Sequence, residues 1–224
     1  MKHLFLLSLL LVGLTIVSCK SKSTEEPVST PVPLGTMQTG DAYKIDTPRT
    51  EIKWMAFKPT GNHYGTVPVN GGTIFVKEGN ITGGIIDINM AGLEVQGMEG
   101  EMKESLQSHL RGTAPGKEED FFNVVKYPSA MFTITSANKL EGDPVGTHMI
   151  TGNLTIKDIT KPVSFKATID MAIGTAMKVT TEPFVIDRTL WDIKYKSKKF
   201  FTDLKDDFIN DEIKIEITLG AVKE

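Results

Sequence analysis

The sequence predicts an all-β domain of roughly eight antiparallel strands, closed into a barrel or packed as two sheets, with one helix inserted near residues 98–111. Three observations carry this. First, apolar residues alternate with polar ones in several segments, the period of a strand with one greasy and one wet face. The clearest cases are Val163, Phe165, Ala167, Ile169 and Met171, and then Ile213, Ile215, Ile217 and Leu219. Second, turn chemistry recurs between these segments, at Gly71-Gly72, Glu78-Gly79-Asn80, Gly142-Asp143-Pro144 and Gly174. Third, one segment alone keeps a helical period, and a lone helix cannot cover the greasy faces of eight strands. Those faces must meet each other.

Taken in chain order, the elements begin with an export leader. Residues 1–18 open with Met1-Lys2-His3, continue through an apolar stretch over residues 4–17, and end in Ser18 before the single cysteine, Cys19. The stretch is shorter than the ~20 apolar residues a membrane-crossing helix needs. One cysteine can form neither an internal disulfide nor a multi-thiolate metal site. Residues 19–40 then read as a linker, with Pro27, Pro31 and Pro33 among Ser, Thr, Lys and Glu and no aromatic residue. Such a segment buries too little to fold.

The domain proper is expected over residues 41–224. After the alternation at Ile52-Trp54-Ala56 comes that at Ile86-Ile88-Met90. Met98, Met102, Leu106 and Leu110 then recur at i, i+4, i+8 and i+12, one apolar stripe on a helix. Strand patterns resume at Phe132-Ile134, Ile150-Leu154-Ile156, 163–171, 179–186 and 213–219. A second helical turn is expected near residues 200–204. Alternation by itself leaves the direction of the greasy face open, because a membrane-spanning barrel has the same period with the apolar side outward. The interrupting helix favours the apolar face inward.

Composition excludes some functions. The formal charge of −3 offers no basic surface for nucleic acid. The lysine-rich run at residues 194–199 has Asp203, Asp206 and Asp207 nearby and reads as a solvated edge. His63, His109 and His148 lack the pairing expected of a zinc site, so no metal is expected. No nucleophile elbow or phosphate loop is present, and no catalytic residue is assigned.

Several ordered motifs resemble the YceI-like family of lipocalin-like, polyisoprenoid-binding proteins. They are Gly61-Asn62-His63-Tyr64-Gly65, Ser108-His109-Leu110, Asp120-Phe121-Phe122, and Tyr127-Pro128-Ser129-Ala130-Met131-Phe132. Further along stand Thr151-Gly152-Asn153-Leu154-Thr155-Ile156-Lys157, Thr160-Lys161-Pro162-Val163, and Asp187-Arg188 with Trp191. Together they span about residues 43–221. The sequence departs from the family pattern in the eight residues 112–119 ahead of the Asp-Phe-Phe element, and in Asp158, where a glycine is common. Ile16-Val17-Ser18-Cys19 resembles the lipobox of bacterial lipoproteins. That likeness implies cleavage before Cys19 and acylation there, which would hold the chain at a membrane. Lys20 favours the outer membrane, facing the periplasm or the cell surface.

The family resemblance implies an elongated antiparallel barrel with a long apolar tunnel that holds an isoprenoid chain, and no cofactor other than that lipid. Candidate ligand contacts on the strands are Trp54, Ile88, Phe132, Leu154 and Phe165, followed by Ile169, Phe184, Ile215 and Ile217. Leu106 and Leu110 come from the helix; Phe121, Phe122 and Trp191 come from the motifs. A side chain such as Phe165 or Ile217 could equally be ordinary core, because a small barrel can be filled by its own side chains. His63 and His109 either contact a polar headgroup or hold loop backbone in place. Asp187 and Arg188 are either a structural pair or a headgroup clamp. The expected function is storage or carriage of an amphiphile of quinone or prenyl-phosphate type by a membrane-anchored lipoprotein. The alternative is an adaptor or stress-response protein that acts through its outer surface.

Overall fold

The structure, a computed structural model, describes residues 39–143, 148–172 and 175–224. The leader, Cys19 and most of the linker lie outside these residues, as do Pro144 and Gly174.

The first strand, β1 (Asp41–Lys58), organises the rest. At about 3.4 Å per residue its 18 residues run for roughly 60 Å of chain. A register irregularity between Asp46 and Glu51 divides it in two. Its C-terminal part pairs with β2 (Gly61–Val67), and its N-terminal part pairs with β3 (Val69–Lys77). Pro68 alone separates β2 from β3, so they form one bent stave along β1. In the same way β4 (Asn80–Asn89) continues through a 3-10 turn at Met90–Gly92 into β5 (Glu94–Gln96), which pairs with β2. The staves that follow are β6 (Ser129–Lys139), β7 (His148–Ile156) and β8 (Ile159–Ala172). Next comes β9 (Ala176–Thr181), extended past Pro183 by β10 (Phe184–Asp187), and last β11 (Glu212–Lys223).

β11 pairs with β9 and β10 on one side and with β1 on the other. Among the described residues, eleven strands therefore make a closed antiparallel barrel of eight staves. Neighbours in sequence are neighbours in space throughout, which antiparallel hairpins allow. Two connections show how local chemistry sets the register. Glu78 and Gly79 have φ of 52° and 78°, and Lys157 and Asp158 have φ of 50° and 61°. Both are two-residue loops with left-handed residues, whose twist matches that of the flanking strands. Aspartate tolerates this conformation through its short polar side chain, so the missing glycine at 158 leaves the hairpin intact.

The greasy face points inward. Ile52 and Trp54 are buried between exposed Glu51 and Lys53, and Phe165 and Ala167 between exposed Ser164 and Thr168. One buried cluster gathers Ile74, Ile81, Ile134, Met177, Val179 and Leu219. A second gathers Trp54, Met90, Leu93, Leu110, Phe121 and Trp191.

The helix α1 (Gly100–Arg111) starts two residues later than the apolar stripe suggests. Only part of that stripe meets the barrel: Leu110 is buried and Leu106 half-buried, while Met102 is 73% exposed. Polar groups complete the docking. Arg111 donates from Nε and Nη2 to the carbonyl of Leu93 (2.9 and 2.6 Å), and Gln107 Oε1 accepts from Val95 N at 3.0 Å. The helix ends at Gly112, whose φ of 69° lets Gly112 N reach His109 O and Thr113 N reach Ser108 O.

Two sequence expectations are corrected. Gly71 and Gly72 make no reversal; they lie inside β3, where the register shifts and both φ values are near +147°. Glycine there accommodates a bulge. Residues 200–204 form turns and coil with no helix.

Candidate functional site: an apolar cavity along the barrel

Inward residues from all the staves leave a cavity of about 180 Å³. An apolar cavity of ~150 Å³ stays dry and takes up benzene, so there is room here for an organic guest. On β1 the lining extends from Thr50 to Ala56, and on β11 from Ile213 to Leu219. Six residue steps along a strand correspond to roughly 20 Å, so the space is long and narrow.

The wall is mainly aliphatic, with seven aromatic side chains, three of which pack together. Phe165 stacks on Phe184 with ring centroids 4.5 Å apart and planes inclined by 15°, and Phe132 lies 5.6 Å from Phe165. Trp54, Ile88, Leu110, Phe121 and Phe122 line the cavity, as do Leu154, Trp191, Ile215 and Ile217. Leu106 and Ile169 do not. Both are half-buried and pack against the two clusters from outside the lining. Several lining residues were absent from the sequence-based set. Ile74, Ile134, Ile150 and Val179 sit in strands whose alternation marks them as inward without distinguishing wall from filler. Ile193 and Ile209 come from the irregular segment between β10 and β11, where no period exists to reveal them.

The candidate headgroup residues separate. Arg188 lines the cavity and is 2% exposed, yet its guanidinium faces backbone. Nε donates to Asn210 O (3.1 Å), Nη1 to Ile193 O (2.7 Å) and Nη2 to Ile209 O (3.0 Å), with Asp211 Oδ1 3.5 Å away. Burial lowers its pKa, opposed by Asp211 and Asp187. The sequence neighbour Asp187 turns elsewhere, capping Thr189 N at 2.9 Å and meeting Lys199 Nζ at 2.6 Å. Arg188 thus ties the 188–211 segment together, and its anionic partner is Asp211.

His109 lies on α1 with Nε2 2.7 Å from Asp120 Oδ2, and its ring meets Phe121 and Tyr195 edge-on at 5.0 and 4.9 Å. It joins the helix to the loop after it and does not line the cavity. His63 sits on β2 opposite Ala56, also outside the lining, with Nδ1 buried and unpartnered. Desolvation by burial, and then Lys58, lower its pKa. Among the described residues no three His, Cys, Asp or Glu side chains cluster as metal ligands, and no helix is long and apolar enough to cross a membrane.

Residues 43–221 match the YceI-like domain family. The chain belongs to that family. Among relatives of this YceI-like chain, the protein YceI of Salmonella arizonae and that of Salmonella paratyphi B are each 36% identical over 104 residues. These matches cover 46% of this chain and 47% of the relatives, so they span about half the length of the curated relatives. Two solved structures share the fold. Burkholderia cenocepacia BcnA superposes with a TM-score of 0.60 at 16% identity, covering 79% of this chain and 98% of the other. A polyisoprenoid binding domain from Saccharophagus degradans, implicated in plant cell wall breakdown, gives 0.57 at 12% identity, covering 82% and 99%. At such identities the likeness speaks for the YceI-like barrel and not for the guest.

Proposed function

We propose that this YceI-like barrel binds the apolar chain of a lipid or polyisoprenoid amphiphile without catalysis, as a carrier or store tethered to a membrane through acylated Cys19. The observation that carries the reading is the cavity itself: about 180 Å³ of space walled by aliphatic and aromatic side chains from every stave. The family match and the name of the Saccharophagus neighbour support a polyisoprenoid as the guest class.

Burying one isoprene unit from water yields roughly 3 kcal/mol at ~0.8 kcal/mol per CH₂. A guest drawn from a bilayer has that gain already, so selectivity falls to the shape of the cavity and to the guest's polar end. The proposed leader, residues 1–18, and lipobox would place the barrel in the envelope, on the outer membrane. The tether then keeps cavity and bilayer at high local concentration. Met102, the exposed large apolar residue of α1, stands as a single side chain, which is ordinary on a protein surface. It therefore gives the adaptor reading no support.

Mass spectrometry of lipids retained by the purified barrel tests the proposal; a barrel consistently free of lipid would end it. Phe165→Trp and Ile217→Trp each fill the cavity and are expected to lower uptake while the fold persists. Cys19→Ala is expected to release the protein from membranes and abolish incorporation of labelled fatty acid.

A further inference from the structure

The cavity sits off centre in the barrel. On β1 the lining runs from Thr50 to Ala56, and on β11 from Ile213 to Leu219, toward the end where β1 turns into β2. At the other end Tyr43, Ile45, Val76, Met177 and Ala221 are buried together and take no part in the lining, so they plug the barrel. At the end nearer the cavity the wall passes from hydrogen-bonded strands to connecting segments, with Phe121 and Phe122 after α1 and Ile193 and Ile209 before β11. A guest that moves lengthwise passes this end.

The same end carries apolar side chains that the fold leaves uncovered. Phe200 and Phe201, between Ile193 and Ile209 in sequence, are 50% and 47% exposed, and Val125 and Leu190 in other connections of that end are exposed as well. Among the described residues, Val222 is the one large apolar side chain exposed at the plugged end. The phenylalanine pair is firmly held: both amides donate to Ser197 O, at 3.1 and 2.9 Å, and Ser197 is fully buried. Lysines stand beside the rings, with Lys194 Nζ 5.0 Å from the centre of Phe200 and Lys198 Nζ 3.5 Å from that of Phe208. Such a mixture suits a membrane interface, where rings sit at headgroup level and long cations reach for water. Charge decides which lipid. Residues 187–211 hold six cations, Arg188 and five lysines, against six aspartates. Lys194, Lys196 and Lys199 are paired with Asp192, Asp207 and Asp187. A neutral segment gains little from an anionic surface.

The place where the chain enters the barrel argues for the same occupant. β1 begins at the plugged end, so on the tethered-carrier reading the anchor and the loop end lie on opposite sides. The 14 residues of β8, at ~3.4 Å each and the usual tilt of ~40°, give a barrel height of roughly 36 Å. Residues 20–40, extended at ~3.1 Å each, reach about 65 Å. The linker is therefore long enough for the barrel to turn its loop end to the bilayer that holds it. Without that contact an apolar guest would have to cross water, which is costly for every isoprene unit.

Building on the tethered-carrier reading, we infer that the Phe200–Phe201 loop is a membrane-docking site. It seats the cavity end of the barrel on the interface of a lipid bilayer through its aromatic pair, without preference for anionic lipid, and the guest passes there between bilayer and cavity.

The test is vesicle flotation with the chain from residue 19 onward, carrying Cys19→Ser so that no acyl group is present. The protein is expected to float with phosphatidylcholine vesicles, and within about twofold as well with equal parts of phosphatidylcholine and phosphatidylglycerol. Phe200→Ser combined with Phe201→Ser is expected to lower the partition coefficient at least about tenfold, with circular dichroism unchanged. Phe201→Trp keeps an aromatic ring in the loop and reports on it: its emission is expected to shift to the blue on vesicles and to be quenched by lipids brominated on their acyl chains. Absence of flotation, or equal flotation of the double variant, would overturn the docking site. Flotation on anionic vesicles alone would assign the contact to the lysines and overturn the role of the rings. A concentration-dependent dimer that the double variant abolishes, with no flotation, would give the patch to a second copy of the chain. Lipid retention, read by mass spectrometry on the same preparations, separates the two readings. A protein that floats yet never holds lipid sinks the carrier reading and leaves the docking site in place; one that holds lipid and does not float sinks the docking site alone.

Discussion

Replacing Arg188 tests whether the cation in the cavity wall is a structural clasp. In Arg188→Met the side chain keeps much of its length, but every donor is removed. Three carbonyls, those of Ile193, Ile209 and Asn210, lose their partners, and the half-buried Asp211 carboxylate keeps only Lys199, whose Nζ lies 3.4 Å from Oδ2. A hydrogen bond to a charged donor contributes ~1.5–3 kcal/mol, so simple addition over the three carbonyls gives ~4.5–9 kcal/mol. The true loss should be smaller, because Ile209 and Asn210 are partly accessible and water can reach their carbonyls once the loop relaxes. Removing one member of a buried ion pair typically costs ~3–5 kcal/mol where the other is left unpaired, and with Lys199 still facing Asp211 the expectation here is the lower end, about 3 kcal/mol. For a domain of this size it corresponds to a fall in Tm of roughly 10 °C. Arg188→Lys keeps the charge yet cannot reach three carbonyls from one ammonium, so it should recover less than half of the loss. Urea unfolding followed by circular dichroism measures both variants. If Arg188→Met lies within about 1 kcal/mol of the parent, the carbonyl contacts are incidental and the clasp argument fails.

Other expectations follow from close approach, capping and protonation. Gly65→Ala should destabilise by about 2–3 kcal/mol, since its Cβ would fall 1.8 Å from the Glu94 carbonyl oxygen and force β2 from β5; equilibrium unfolding reads this directly. Gly112→Ala should cost about 1–2 kcal/mol from the left-handed conformation alone, with Glu118 O 2.5 Å from the added Cβ making it worse. Its signature is earlier loss of helical signal on heating. For His63 the folded pKa lies below the ordinary histidine value because burial, then Lys58, disfavour the charged ring. The unfolded chain therefore binds more protons between the two pKa values. The stabilising contribution is complete above the unfolded value and is lost as pH falls through the folded one. His148 shifts in the same direction through burial and Lys139. Stability should thus decline as pH drops below the histidine range, and His63→Gln should flatten part of that slope. An unchanged slope in His63→Gln would show that its ring is as easily protonated in the fold as in the unfolded chain.

What could be read from the residues alone was what local spacing encodes. Period two in 163–171 and 213–219 marks strands, and the four-residue repeat at Leu106 and Leu110 marks the helix face that docks. The Glu78-Gly79 pair marks a hairpin. Direction and volume are different in kind. Whether Phe165 fills a core or walls a space depends on what stands opposite it, and Phe184 and Phe132 come from other staves. Closure joins β1 to β11, the first and last strands, and no local signal states that pairing. The same limit explains Met102, which shares the helical period but projects where no strand lies beneath it. It explains Arg188 as well, whose acceptors are set by the path of a loop without periodicity. Alternation fixes which side chains share a face. How far apart opposing faces stand is a sum over all eight staves, and only the closed barrel performs it.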